Sequence, residues 1–193
     1  MQLDNTWKKK YQLKFDISLA HCNFHLRGED SDNDEKLVLQ IADHFQFPVF
    51  KKSFDTSNYA KKEKLSIQLA ARKLRYEWFD VIVKENKLDY ILTGHHADDN
   101  LETFLINAIR GTGLDGLTGI PEKNLNIIRL LLPFTREQIK KYAKENAIVW
   151  REDTSNMETK YVRNKIRHKV IPILQELNPS LLSSFQKTLR NLK

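Results

Sequence analysis

A chain of 193 residues, 40% hydrophobic and 30% charged, can bury a core of ordinary size. At about 100–200 residues per domain it amounts to one domain, or one domain with a small appendage. No apolar run approaches the roughly 20 residues of a membrane-spanning helix, and residues 1–10 offer no apolar stretch for a signal peptide. The single cysteine, Cys22, excludes an intramolecular disulfide framework and any paired-cysteine zinc or redox site. The expectation is a cytoplasmic protein with no membrane partner.

The net charge of +7 is unevenly placed. Residues 1–133 hold 19 Lys and Arg against 19 Asp and Glu, whereas residues 134–193 hold 13 against 6, which is the whole excess. A neutral body with a basic region behind it points to a polyanionic partner, nucleic acid first. A solvated basic helical surface accounts for the same charges equally well.

In chain order, four short runs rich in β-branched and aromatic residues read as strands: 17–24, 47–54, 90–93 and 127–132. Helical patterns alternate with them, as in a parallel α/β sheet. Residues 34–45 place Leu37, Val38, Ile41, Ala42 and Phe45 on one face. Ser66 caps a helix that reaches about Glu85 and turns Ile67, Ala71, Leu74, Trp78 and Ile82 inward. Leu101, Phe104, Leu105, Ala108 and Ile109 then repeat at helical spacing. Beyond Pro133 the pattern is helical only, over about 136–146, 158–169 and 179–191. Pro133 therefore marks the expected boundary between a sheet domain, 1–133, and a basic helical segment, 134–193.

The densest polar cluster runs from Thr93 to Thr103 and contains His95, His96, Asp98, Asp99 and Glu102. It falls where the third strand ends and a helix begins, the usual place for a ligand in an open α/β sheet. Two histidines and three carboxylates can hold a divalent cation or a nucleotide. The plainer alternative is a helix cap, with Asp99 and Glu102 spaced as a capping box. Next, residues 110–119 hold Gly111, Gly113 and two more of the six glycines. Such a loop can present backbone N–H groups to phosphate or simply turn the chain. Gln68, Arg72 and Arg75 form one polar row, and the loop from His21 to Gly28 follows a strand. Lys160, Arg163, Asn164 and Arg167 share a helical face suited to phosphate contacts, or to solvent.

Five stretches, taken in order, resemble the tRNA(Ile)-lysidine synthetases of the PP-loop ATP pyrophosphatase group: 21–28 with Ser31 and Asp34, 68–76, 93–103, 110–119 and 153–172. The resemblance implies an adenine nucleotide alpha-hydrolase-like α/β fold. It also implies ATP-dependent ligation of free lysine to the wobble cytidine of tRNA(Ile) through an adenylated cytidine, with Mg2+ as cofactor. On that resemblance Asp99, Glu102, His95 and His96 are catalytic, and Asp98 and Asp99 hold the metal. His21, Arg72, Arg75, Arg110, Gly111 and Gly113 bind the nucleotide, and Lys160, Arg163, Asn164 and Arg167 meet RNA.

The chain departs from that family in one large respect. The ATP-binding Ser-Gly-Gly-x-Asp-Ser loop occurs nowhere in it, and no glycine precedes Gly28. Residues 11–15 look like the end of the helix that follows this loop. The expectation is an N-terminally truncated form, lacking the first, central strand and inactive alone, completed by a missing segment or by a second copy. Asn100, where the family usually has Gln, is a mild change. Two other readings stand beside this one: a non-catalytic tRNA-binding fragment, and a metal-dependent phosphohydrolase built on His95, His96, Asp98 and Asp99. The related 2-thiocytidine synthetases rely on cysteines, and one cysteine argues against them.

Overall fold

The computed structural model describes residues 15–151 and 162–192. The chain divides into two compact units between Lys87 and Leu88, each with its own short sheet. Among the described residues no helix is long and apolar enough to cross a membrane.

In the first unit, β1 (Leu19–Asn23) pairs in parallel with β2 (Val49–Ser53), from Leu19 opposite Val49 to Asn23 opposite Ser53. Between them α1 (Glu29–Phe45) starts five residues before the expected position 34. Its first turn carries Glu29, Asp30 and Asp32, which favour the positive end of the helix dipole but add nothing to apolar periodicity. A short helix, α2 (Thr56–Lys62), was not expected; the Asp55 carboxylate caps it by accepting from the Asn58 N–H at 3.1 Å. The cap on α3 (Ile67–Glu85) is the expected one, Ser66 Oγ accepting from the Leu69 N–H at 3.3 Å. Ala70, Ala71, Trp78 and Ile82 are buried along α3, while Ile67 stays exposed. Trp78 meets Phe54 edge-on at 6.2 Å, and Phe54 stacks on Phe24 at 5.5 Å. These rings tie α3 to the ends of both strands.

The second unit runs through β3 (Ile91–Leu92), α4 (Ala97–Arg110), α5 (Leu114–Leu117), β4 (Lys123–Asn124), β5 (Ile127–Ile128) and α6 (Arg136–Glu145). It continues with α7 (Val162–Lys165), a π-helical turn (Ile166–Val170), α8 (Ile171–Leu177) and α9 (Leu181–Leu192). β5 pairs in parallel with β3, as expected, but also with β4 in an antiparallel hairpin that the apolar pattern did not reveal. The fourth run stops as a strand at Ile128 because the chain turns at once, the Leu132 N–H reaching Arg129 O at 3.3 Å and burying Leu132.

The core of this unit joins Leu101 of α4 to Ile166, Ile171, Phe185 and Leu189. Phe104 and Phe185 meet at 5.2 Å. In an α-helix, residues five apart point in different directions; the wider π turn lets Ile166 and Ile171 both reach the core. Pro133 lies inside this unit. Its carbonyl accepts from Gln186 Nε2 at 2.8 Å, and Phe134 O accepts from the Ala97 N–H at 2.9 Å. The basic helices thus share one core with α4 instead of forming an appendage after residue 133. Among the described residues β1 pairs only with β2, and β3 only with β5.

Candidate functional site

The polar cluster expected at residues 93–103 gathers at the N-terminus of α4, just beyond β3. His96 is the N-cap residue, and its backbone N–H donates to Asp99 Oδ2 at 3.1 Å. The capping pair is therefore His96 with Asp99, one turn earlier than the expected Asp99 with Glu102. Asp98 Oδ2 accepts the Arg136 N–H at 2.8 Å, joining the start of α6 to the start of α4. His96 sits between the two acids, 3.5 Å from Asp98 and 3.4 Å from Asp99. His95 Nδ1 lies 3.0 Å from Thr93 Oγ1.

Glu102 goes inward. Its side chain is 1% exposed and is held by Arg167, Nε to Oε1 at 2.6 Å and Nη2 to Oε2 at 3.0 Å. Arg167 Nη2 also lies 3.4 Å from Asp99 Oδ1. Arg163 Nε stands 3.3 Å from Glu102, and its Nη2 donates to Thr103 Oγ1 at 2.6 Å. Thr103 in turn donates to Asp99 O at 2.8 Å. Arg163 and Arg167, expected on an RNA-facing surface, are thus turned toward α4 and its carboxylates. Asn164 is half-buried on the same turn, and Lys160 lies outside the described residues.

Burial pushes the Glu102 carboxyl above its ordinary range, against the pull of the Arg167 hydrogen bonds. For Arg167, burial opposes the charge but the Glu102 hydrogen bonds, with Asp99 and Asp98 nearby, outweigh it and raise its pKa. Burial also presses on Asp98, yet His96 and the Arg136 N–H hold its carboxyl below the usual range. The outcome is a charged, internally braced helix start. Asp98, Asp99 and His96 are its partly accessible members, and Glu102 stands behind them as a buried brace.

The expected metal ligands Asp98 and Asp99 are partly engaged within the protein. Asp98 Oδ2 accepts the Arg136 N–H, while the Asp99 oxygens face the His96 N–H and Arg167. Among the described residues no three His, Cys, Asp or Glu side chains are grouped to hold a metal ion. Mg2+ is usually held by one or two carboxylates together with waters and phosphate oxygens, so Asp98 and Asp99 could serve it only in that way.

Arg110, Gly111 and Gly113 sit at the other end of α4, which at 14 residues is about 21 Å long. Gly111 caps the helix in the left-handed region, φ 71°. This end presents carbonyls, the negative end of the helix dipole, which does not attract phosphate. Within this unit Gly111 and Gly113 lie away from the His96–Asp99 cluster, but the loop's far end returns to the first turn of α4. Asn100 Oδ1 accepts from the Ile120 N–H at 2.6 Å, and the buried Arg129 donates through Nη1 to Pro121 O at 2.7 Å. Neither residue was singled out as an anchor from sequence, where only their neighbours in space give them that role. Gly119 has φ 73°, and a Cβ there would overlap the Asn100 amide. Gly119→Ala is accordingly expected to destabilise the protein by about 1–3 kcal/mol. Asn100→Ala removes the clash but also the bond from the Ile120 N–H, and it leaves the positive φ, so combined with Gly119→Ala it should recover little of that loss in a thermal melt.

In the first unit, His21 and Cys22 lie on β1 beside a small cavity of about 90 Å³ that also borders Phe24, Arg27, Ser31 and Asp34. Burial lowers the His21 pKa more than Glu35 and Asp34 raise it, so the ring is neutral at pH 7, and its Nε2 is buried without a hydrogen-bond partner among the described residues. Burial pushes the Cys22 thiol up to about 11 despite Arg75, which leaves it a poor nucleophile. Arg75 lies over the Phe24 ring at 5.1 Å and so belongs to this group, while Arg72 covers Tyr76 at 4.7 Å farther along α3. Asn23, 3% exposed, donates to Asp32 and Glu35, both at 3.0 Å, and fixes the acidic start of α1. No pattern in the sequence marks Asn23 for that role.

A PP-loop domain family matches residues 1–174. The tRNA(Ile)-lysidine synthase of Porphyromonas gingivalis is 45% identical over 183 residues, covering 94% of this chain and 40% of the relative. That of Bacteroides thetaiotaomicron is 43% identical over 178 residues, 92% and 42% of the two chains, and that of Chlorobaculum tepidum 44% over 170 residues, 86% and 51%. The chain spans two fifths to one half of the length of these relatives. Among solved structures, the U34-tRNA thiolase NcsA from Methanococcus maripaludis, with its [4Fe-4S] cluster, superposes with a TM-score of 0.73 at 13% identity, over 97% of this chain and 66% of that one. At that identity the likeness is one of fold, the adenine nucleotide alpha-hydrolase-like α/β arrangement. By the extent of the family match, the chain belongs to the PP-loop domain family.

Proposed function

We propose that the chain is the body of an enzyme that forms lysidine on tRNA(Ile), using ATP and free lysine. The observation that carries this reading is its 45% identity, over 94% of its length, to a tRNA(Ile)-lysidine synthase. In the proposed reaction the position-2 oxygen of the wobble cytidine attacks the α-phosphate of ATP and pyrophosphate leaves. The lysine amine, having lost a proton, then adds at position 2 and AMP departs. Asp99, with His96 and Asp98 beside it, offers carboxylate oxygens near the surface to hold the lysine ammonium and take its proton. Glu102 and Arg167 position Asp99 from behind, and Arg163 braces Glu102 and Thr103. On the first unit, His21 and Arg75, with Arg72, are the proposed nucleotide contacts. No step is assigned to a metal ion.

A second reading, an RNA-binding body without catalysis of its own, is favoured by the absence of Ser-Gly-Gly-x-Asp-Ser from all 193 residues. One experiment separates the two. The chain as it stands, and the chain extended at its N-terminus by a strand and that loop, are incubated with tRNA(Ile), ATP and labelled lysine. The enzyme reading expects label in RNA with the extended chain and little with the shorter one. Label in neither, despite tRNA binding by both, selects the RNA-binding reading.

A further inference from the structure

Arg163 and Arg167 are committed to Glu102, so any polyanion drawn by the basic excess of residues 134–193 has to be met elsewhere. The second unit contains one open groove that fits, of about 1000 Å³, walled on one side by α6 and on the other by the turn between α8 and α9. Arg136, Lys140 and Lys144 recur along α6 every fourth residue and line it, with Lys141 beside them. The facing wall supplies neutral hydrogen-bonding side chains, Gln175, Ser180 and Ser183.

Acids are present as well. Asp98 accepts the Arg136 N–H at 2.8 Å, and Glu145 lies 3.9 Å from Lys141; Glu137 is the third carboxylate of the lining. Four cations against three carboxylates leave the lining one positive charge in excess, with Lys141 and Glu145 offsetting each other. Its frame is firm. Thr135 and Gln138 form a complete capping box at the start of α6, at 3.1 and 2.8 Å, and Asp98 fastens that start to α4.

We propose that the α6 groove, and not the Arg163–Arg167 face, holds the sugar–phosphate backbone of the RNA substrate. A cationic row supplies affinity through phosphate contacts, and neutral hydroxyls and amides opposite can bond phosphate oxygens and ribose 2′-hydroxyls without reading sequence. The proposal rests on the tRNA-directed reading above.

The test uses the 193-residue chain with fluorescently labelled tRNA(Ile) transcript, titrated at several KCl concentrations. Lys140→Gln with Lys144→Gln is expected to weaken binding at least tenfold at low salt. It should also reduce the log–log salt slope by about 0.7–0.9 per lost contact, or roughly 1.4–1.8 for the pair. Lys140→Arg with Lys144→Arg keeps both charges and should restore the slope; circular dichroism of each variant checks that α6 still forms. Lys84→Gln, on α3 of the other unit, should change nothing. Salt-dependent binding by the parent chain with an unchanged slope in the double Gln variant overturns the groove alone. No binding by the parent chain overturns the tRNA-directed reading and the groove with it.

Discussion

Arg167→Ala is expected to destabilise the second unit by about 3–5 kcal/mol, because it leaves Glu102 buried beside only the more distant, half-exposed Arg163. For a protein of this size that corresponds to a fall in melting temperature on the order of 10 °C. The variant should also show a stronger pH response of the same sign that buried Glu102 already gives. Burial already raises the Glu102 pKa while Arg167 pulls it down; without Arg167 the raised value has less to oppose it. A carboxyl whose folded pKa exceeds its unfolded one adds stability at low pH and loses it as pH rises through the folded value. Acidification from pH 7 toward 5 should therefore raise the melting temperature of Arg167→Ala, and adding Glu102→Gln should abolish that gain. Thermal melts across this range decide the matter. A variant that melts within 2 °C of the parent at pH 7 would show that the Glu102–Arg167 pair does not brace α4.

The second large effect concerns Asp99. In the chain extended by a Ser-Gly-Gly-x-Asp-Ser segment, Asp99→Asn should lower lysine incorporation by about 10²-fold or more, the usual scale for a lost general base. The amide oxygen can still accept the His96 N–H, so the cap survives; what is lost is the charge at the helix start and its 3.4 Å ion pair with Arg167, a change of about 1 kcal/mol. Arg167→Ala should depress activity and stability together, whereas Asp99→Asn should depress activity almost alone. ATP–pyrophosphate exchange dependent on tRNA, measured without lysine, should survive Asp99→Asn if this residue serves the amine and not the adenylation. Full lysine incorporation by Asp99→Asn would reduce the carboxylate to its capping role.

Much of this was legible in the amino-acid order. Local signals act over a turn or two: Ser66 and the apolar stripe from Ala71 to Ile82 place α3, and the alternation of strands and helices gives the α/β class. The polar run after the third strand lands at the start of α4, where backbone geometry alone puts it. The relatives bear out the resemblance carried by five ordered stretches. Short elements with little apolar content, such as α2 and the β4–β5 hairpin, left no periodicity to read.

Direction was what periodicity could not supply. A helical wheel groups Arg163 with Arg167 but does not say what their face meets; that was decided by Glu102, 65 residues away from Arg167 in the chain. Spacing allowed Asp99 and Glu102 to cap together, yet burial drew Glu102 inward and left the cap to His96 and Asp99. Asn100 and Arg129 became loop anchors only because folding set them against Ile120 and Pro121. Residue order determined which groups exist and which share a face, since those follow from local backbone geometry. Which charges are neutralised within the protein and which remain for a partner was decided by the tertiary structure, because desolvation and ion pairing depend on neighbours that only folding brings together.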